Sequence, residues 1–319
     1  MPAINQHCTV PPELAGERLD RAAAILFADF SRVELTRWIH AGALTLDGRS
    51  VRPRVRLTGG ETLVLAAERE VREAWQVAQP MALSVLYEDD HLLVLNKPAG
   101  LVVHPGAGNP DQTLVNGLLH HRPELNLLAR AGVVHRLDKD TSGVMVVAAT
   151  AEAQLRLARM IARRQLTRRY VCICEGRMVA GRDVEAPIGR DPRVRTRQAV
   201  REDGKPARTE FRVRERYRAH TLVDAQLHTG RTHQIRVHMQ SIGYPLVGDR
   251  RYGARGKVPE GATAACIETL HGFPRQALHA EVLQFEHPVH AGGMEFMAPW
   301  PTDFQRLTDT LRGDAHGDA

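Results

Sequence analysis

Gly132-Val133-Val134-His135-Arg136-Leu137-Asp138-Lys139-Asp140-Thr141-Ser142-Gly143-Val144-Met145-Val146-Val147-Ala148-Ala149 is the most informative stretch of the chain. Its last six residues form a short continuous apolar run, the pattern of a strand buried on both faces. A charged loop emptying into such a strand places its carboxylates at a sheet edge, where clefts form. By themselves the loop residues also fit a solvated turn with an Asx-type bond. A divalent cation held by Asp138 and Asp140 is a weaker alternative, because hard ions want several oxygen ligands and no third acidic residue is near in sequence.

Outward from this strand, residues 84–87, 92–95, 170–174, 221–227 and 278–285 also read as strands. Helical periodicity is confined mainly to residues 114–119, 151–164 and 232–240. Strands outnumber helices without regular alternation, which predicts an α+β domain on a mainly antiparallel sheet. A second polar constellation, Leu227-His228-Thr229-Gly230-Arg231-Thr232-His233-Gln234-Ile235-Arg236-Val237-His238-Met239, leads into the last of these helices. Thr232 is its expected N-cap. His233 and His238 are five apart, not four, so a two-histidine zinc face is poorly supported.

A smaller module precedes the large domain. A helix is expected over 19–27, and a second from Ser31, where Ser31 and Glu34 form a capping box and Gly42 supplies the stop. Strands follow at 43–46, 51–57 and 62–65, with a turn at Asp47-Gly48. The expected boundaries are a tail over 1–16, the module over 17–66, a charged linker over 67–82, the large domain over 83–312 and a frayed tail over 313–319.

The 319 residues hold 43 basic against 37 acidic side chains, a net charge of +6. Only four of the bases are Lys, and Arg is the better phosphate fork and base stacker. The excess suits a polyanionic partner without requiring one. No apolar stretch approaches the roughly 18 residues of a membrane span, and no secretory signal is read at the start. Four cysteines, two of them as Cys172-x-Cys174, make no disulfide framework and read as packing. A cytoplasmic protein without metal is expected.

Both polar constellations carry a resemblance. His135-Arg136-Leu137-Asp138-x-x-Thr141-Ser142-Gly143 and Gly230-Arg231-Thr232-His233-Gln234-Ile235-Arg236-x-His238 resemble the signature blocks of the RluA family of RNA pseudouridine synthases. Asn96-Lys97-Pro98-Ala99-Gly100-Leu101, Tyr170 after its basic run, Gly204-Lys205-Pro206-Ala207-x-Thr209, Leu246-Val247-Gly248-Asp249 and Leu278-His279-Ala280 are also similar to family blocks, in family order. The resemblance implies the pseudouridine synthase fold and catalysis by Asp138, Tyr170 and Arg236. Asp138 would be the carboxylate acting on the nucleotide, Arg236 its guanidinium partner, and Tyr170 the ring against the uracil and a candidate proton acceptor. It assigns substrate binding to Arg136, which fills the stack the flipped uridine leaves, and to His135, Arg231, His233 and Gln234. No cofactor is implied, since the product is an isomer of the substrate. Over residues 103–111 the likeness narrows to the branch acting on 23S ribosomal RNA of the large subunit, at helix 69, with a monomer as the default state.

The first module resembles the S4 RNA-binding domain, which would place Arg32, Arg37, Arg49 and Arg52 on RNA. The usual Ser-Arg-x-Arg reads Ser31-Arg32-Val33-Glu34 here, with an acid in place of the second base. Two rivals come from other classes. A glycosidase needs a second carboxylate as acid or base, whereas the partner block offers Arg236. A non-catalytic RNA-binding protein would not need Asp138, Tyr170 and Arg236 intact.

Overall fold

The computed structural model describes residues 3–30, 32–68, 77–106, 108–194, 196–253 and 256–316. It divides into two compact units, Met1–Glu73 and Ala74–Ala319. The first contains β1 (Ala3–Thr9), α1 (Leu19–Leu26), α2 (Arg32–Ala41), β2 (Leu44–Leu46) and β3 (Thr62–Glu68), with strand order β1-β3-β2. Leu19, Leu35, Trp38, Ile39, Leu44, Leu63 and Leu65 form its core. Asp47 and Gly48 both have positive φ, 47° and 72°, as a two-residue hairpin turn of the I′ type requires.

Several expectations for this unit change. Residues 3–9, assigned to a tail, pair along β3 in full antiparallel register. Residues 51–57 are not a strand: Leu57 is buried, but the segment wraps the helices through backbone bonds such as Leu19 N to Val55 O at 2.8 Å. The Ser31 cap and residues 69–76 of the expected linker lie outside the described residues. Residues 79–81 dock onto the large unit, with Gln79 N donating to Asn116 O at 3.0 Å.

The second unit runs β4 (Val85–Glu88), β5 (Leu92–Lys97), α3 (Leu114–His121), β6 (Ser142–Ala148), α4 (Ala151–Ala162), β7 (Thr167–Glu175), β8 (Arg182–Glu185), β9 (Ile188–Arg190), β10 (Gln198–Val200), β11 (Arg208–Arg216) and β12 (His220–Leu227). It continues through α5 (Gln234–Ser241), α6 (Ala264–Gly272), β13 (Leu278–Glu286), β14 (Gly293–Met297) and α7 (Thr302–His316). The main sheet is ordered β4-β5-β6-β13-β7-β12-β11-β8, with β14 on β13 and β9 and β10 as a separate hairpin. Pairing is antiparallel except where β13 meets β6. Central strand β7 is buried on both faces: Tyr170, Cys172 and Cys174 belong to one core, Val171 and Ile173 to the other. Burial pushes both thiols' pKa values up, Cys174 to about 12, so they pack as hydrophobes.

β11 escaped the sequence reading because two thirds of its residues are charged. Thr209 and Phe211 point inward, while Arg208, Glu210 and Arg212 point outward, the alternation of a half-solvated strand. The C-terminus also differs. α7 extends to His316, and buried Asp314 accepts a hydrogen bond from Thr263 N at 2.8 Å, so residues 313–316 are not frayed.

Gly143 fixes the crossing of β6 and β13. Its φ is +118°, and a Cβ there would lie 2.1 Å from Ala280 O. Gly143→Ala combines left-handed strain with a backbone clash in the loop-bearing strand, and is expected to cost about 3 kcal/mol or more. Urea unfolding should show this as a lowered midpoint; an unchanged midpoint would mean the strands can separate freely here.

Candidate active site

The loop before β6, the start of β7, the turn from β12 into α5 and residues 249–251 converge on a cleft of about 1310 Å³. Among the described residues, ten Arg and Lys side chains line it against three aspartates, Asp138, Asp140 and Asp249. Such a balance focuses a positive potential suited to a polyanion.

At its floor, Arg236 of α5 joins two carboxylates. Nη1 donates to Asp138 Oδ2 at 2.9 Å, while Nε and Nη2 donate to the two oxygens of Asp249 at 2.7 and 2.9 Å. Asp249 is fully buried. Its Oδ1 also accepts from Arg251 N and Tyr252 N, both at 3.1 Å. Burial works against the Arg236 charge, but the bonds to Asp249 and the nearness of Asp138 outweigh it and raise its pKa above the ordinary value. Asp138 Oδ1 has no hydrogen bond among the described residues, and Asp138 lines the cleft.

His233 approaches the same carboxylate, its Nε2 3.9 Å from Asp138 Oδ2. It precedes α5 with φ +58°, a left-handed conformation that costs strain in a non-glycine residue and clusters at functional sites. Tyr252 sets its tautomer. The phenol oxygen accepts from Gln198 N at 2.8 Å and lies 2.6 Å from His233 Nδ1. With its acceptor role used by the backbone, the phenol donates to Nδ1, which leaves the imidazole proton on Nε2, toward Asp138. Burial lowers the His233 pKa against the opposing pull of Asp138.

The aspartate loop is held from beneath. Lys97, at the end of β5, is 1% exposed, and Nζ donates to Pro98 O, Leu101 O and Lys139 O at 2.7, 2.9 and 3.0 Å. Burial pushes its pKa down to about 7, with Asp140 and Asp138 acting upward. Three carbonyls match the three donors of the ammonium form. Arg275 donates to Asp140 O at 3.2 Å while a two-pronged bond to Asp303 of α7 holds its guanidinium.

Asp138, Tyr170, Arg236, Arg136, His135, Arg231, His233 and Gln234 all line the cleft. Burial raises the Tyr170 pKa, with the Arg168 charge acting downward and the Asp138 charge adding upward. Gln234 is also bonded within the turn that bears it. Its Nε2 donates to Arg208 O and Thr209 Oγ1, and its Oε1 accepts from Thr229 Oγ1 and Arg231 N, so the amide is spent on the turn. His135 Nε2 accepts from Val146 N at 3.0 Å, its Nδ1 has no partner among the described residues, and burial with the charge of Arg168 pushes its pKa down to about 3. Thr232 is not the N-cap; His233 holds that position. In the small unit Arg32, Arg37, Arg49 and Arg52 are exposed, and Arg32 shares buried Asp20 with Arg18. Lys97, Asp249, Tyr252 and Arg275 carry structural weight that sequence reasoning did not assign. The one available signal was a lone Lys closing an apolar strand and an Asp closing a family block.

This fold and site define an RNA pseudouridine synthase. Residues 91–241 match the family described as RNA pseudouridylate synthase, and the chain belongs to the RluA family of these enzymes. Ribosomal large subunit pseudouridine synthase D of Xanthomonas campestris pv. campestris is 52% identical over 97% of this chain and 93% of its own length. The enzyme of the same name from Vibrio vulnificus is 52% identical, covering 97% and 96%. The solved structure of human RNA pseudouridylate synthase domain containing 4 shares the fold, with 25% identity and a TM-score of 0.57 over 72% of this chain and 93% of that one.

The committed histidines give the fold an acid limit. Unfolded, an imidazole takes up a proton below about pH 6.5. Folded, His135 does so near 3 and buried His220 near 4. Their stabilisation is complete above pH 6.5 and is lost as pH falls below it, because the unfolded chain then binds more protons. His135→Gln, whose amide can still accept from Val146, should flatten the fall of stability between pH 6.5 and 4 by up to about 1.4 kcal/mol per pH unit. Urea midpoints at stepped pH check this; an unchanged slope would remove His135 from the account.

Proposed function

We propose that this enzyme converts several uridines in helix 69 of 23S ribosomal RNA to pseudouridine, acting as a cytoplasmic monomer in large-subunit biogenesis. The relatives named for the large subunit and the basic cleft support this substrate. The single observation that carries the chemistry is Asp138 with one oxygen tethered by Arg236 and the other free. In the reaction N1–C1′ breaks, the uracil turns, C5–C1′ forms, and the C5 proton is exchanged for one at N1, so no electron carrier is needed. The free oxygen of Asp138 can serve at C1′, at C6, or at the C2′ proton of a glycal route. Tyr170 packs against the uracil and Arg136, exposed at the rim, fills the vacated stack.

A glycosidase would use a second carboxylate as acid or base. The carboxylate joined to Asp138 through Arg236, that of Asp249, is fully buried and bonded to Arg236 and two backbone N–H groups, which leaves it no oxygen for a substrate. The unit Met1–Glu73 serves as an S4-like RNA-binding module through Arg32, Arg37, Arg49 and Arg52, joined through the segment around 67–82.

Asp138→Asn should abolish pseudouridine formation on a helix 69 stem-loop and leave RNA affinity nearly intact, because binding is spread over many phosphates. Retention of activity within about tenfold of wild type would sink the assignment. Arg136→Ala should slow turnover more on a paired uridine than on a mismatched one, which has less stacking to lose. Equal losses in single-turnover rates on the two RNAs would leave a phosphate contact instead.

A further inference from the structure

Three arginines are buried among the described residues: Arg168, Arg236 and Arg275. Arg236 and Arg275 are each closed off by a two-pronged aspartate bond. Arg168 is not. Its side chain is 8% exposed and lines the cleft, yet its Nε finds no acceptor, and no carboxylate pairs with it among the described residues. A buried charge without a partner is costly, by several kcal/mol in general. The neighbouring groups do not relieve it. His135, which the Arg168 charge reaches, is held neutral, and Tyr170, two residues along on the same face of β7, is a neutral phenol. The chain nevertheless makes room for this guanidinium. A Cβ on Gly230 would lie 2.9 Å from Arg168 Nη1, so the turn bearing Arg231 and His233 packs directly against this guanidinium.

We infer that Arg168 is the anchor for a backbone phosphate of the RNA, adjoining the nucleotide whose uracil lies on Tyr170. A planar fork matches two non-bridging phosphate oxygens, and an anion supplies the countercharge that a uracil carbonyl would not. One strand repeat separates the two side chains, about 7 Å, the scale of a single nucleotide from base to phosphate. The inference rests on the RNA substrate proposed above and adds to it a phosphate contact deep in the cleft.

A thermodynamic cycle tests it. A helix 69 stem-loop is made with a neutral methylphosphonate at either the 5′ or the 3′ phosphate of the target uridine. Single-turnover rates at subsaturating enzyme are then measured for wild type, Arg168→Met and Arg168→Lys. Wild type should lose roughly tenfold to a hundredfold at one of the two linkages, the scale of a charged hydrogen bond. Arg168→Met should lose a similar factor on ordinary RNA and nothing further at that linkage, and Arg168→Lys should fall between. Each cycle compares two RNAs on one protein, so a folding defect cancels, and Arg168→Lys carries the cycle if Arg168→Met does not fold. Equal sensitivity of wild type and Arg168→Met to both neutral linkages would overturn the phosphate anchor alone. Absence of wild-type turnover on the ordinary stem-loop would overturn the substrate reading, and this inference with it.

Discussion

The site depends on one guanidinium shared between two carboxylates. Arg236 is almost wholly buried, and so is its two-pronged partner Asp249. Removing one member of such a pair strands the other's charge, at about 3–5 kcal/mol. Asp249 therefore fixes Arg236, and Arg236 fixes Asp138. The two carboxylates have different fates because their surroundings differ. Asp249 has its oxygens consumed by Arg236 and two backbone N–H groups, whereas Asp138 gives one oxygen to Arg236 and keeps the other. The second aspartate orients the guanidinium, and the first keeps an oxygen free.

The same economy of donors explains the loop. A carboxylate on a flexible turn would spend little time in one geometry, and rate falls steeply with misplacement of a reacting group. Lys97 and Arg275 hold the carbonyls of residues 139 and 140, from a strand end on one side and a helix-anchored side chain on the other. Both cations are bound to main chain, so they stiffen the loop without competing for Asp138 Oδ2.

Much of this was legible in the sequence. The continuous apolar run after Gly143 read as a doubly buried strand, and β6 is buried at every position. Asp138 and Arg236 stood out through family blocks, and the structure brings them to 2.9 Å although 98 residues separate them. What stayed hidden has physical causes. β11 carries a charge at every outward position and mimics a loop. Gln234 and His135 share their residue types with substrate-binding groups, and only hydrogen-bond accounting shows that the fold engages the Gln234 amide and the His135 Nε2. Asp249 and Tyr252 are distant in sequence from Asp138, and their parts emerge only when α5 and the turn after it are placed together.

That accounting also separates the cations of the cleft by task. A guanidinium closed by a carboxylate, as in Arg236 or Arg275, contributes geometry and little net field, because its charge is cancelled where it sits. Exposed arginines such as Arg136 contribute field at the rim, screened by salt over about 10 Å. A largely buried one without a carboxylate contributes a stronger local attraction, since no partner cancels it. An RNA entering the cleft would meet these in order, a diffuse attraction at the rim and then a directed one within. The aspartate at the floor has a free oxygen that repels that polyanion. Its attachment to Arg236 offsets the repulsion, so the clamp that aims Asp138 also makes it possible to bring a phosphodiester chain beside it.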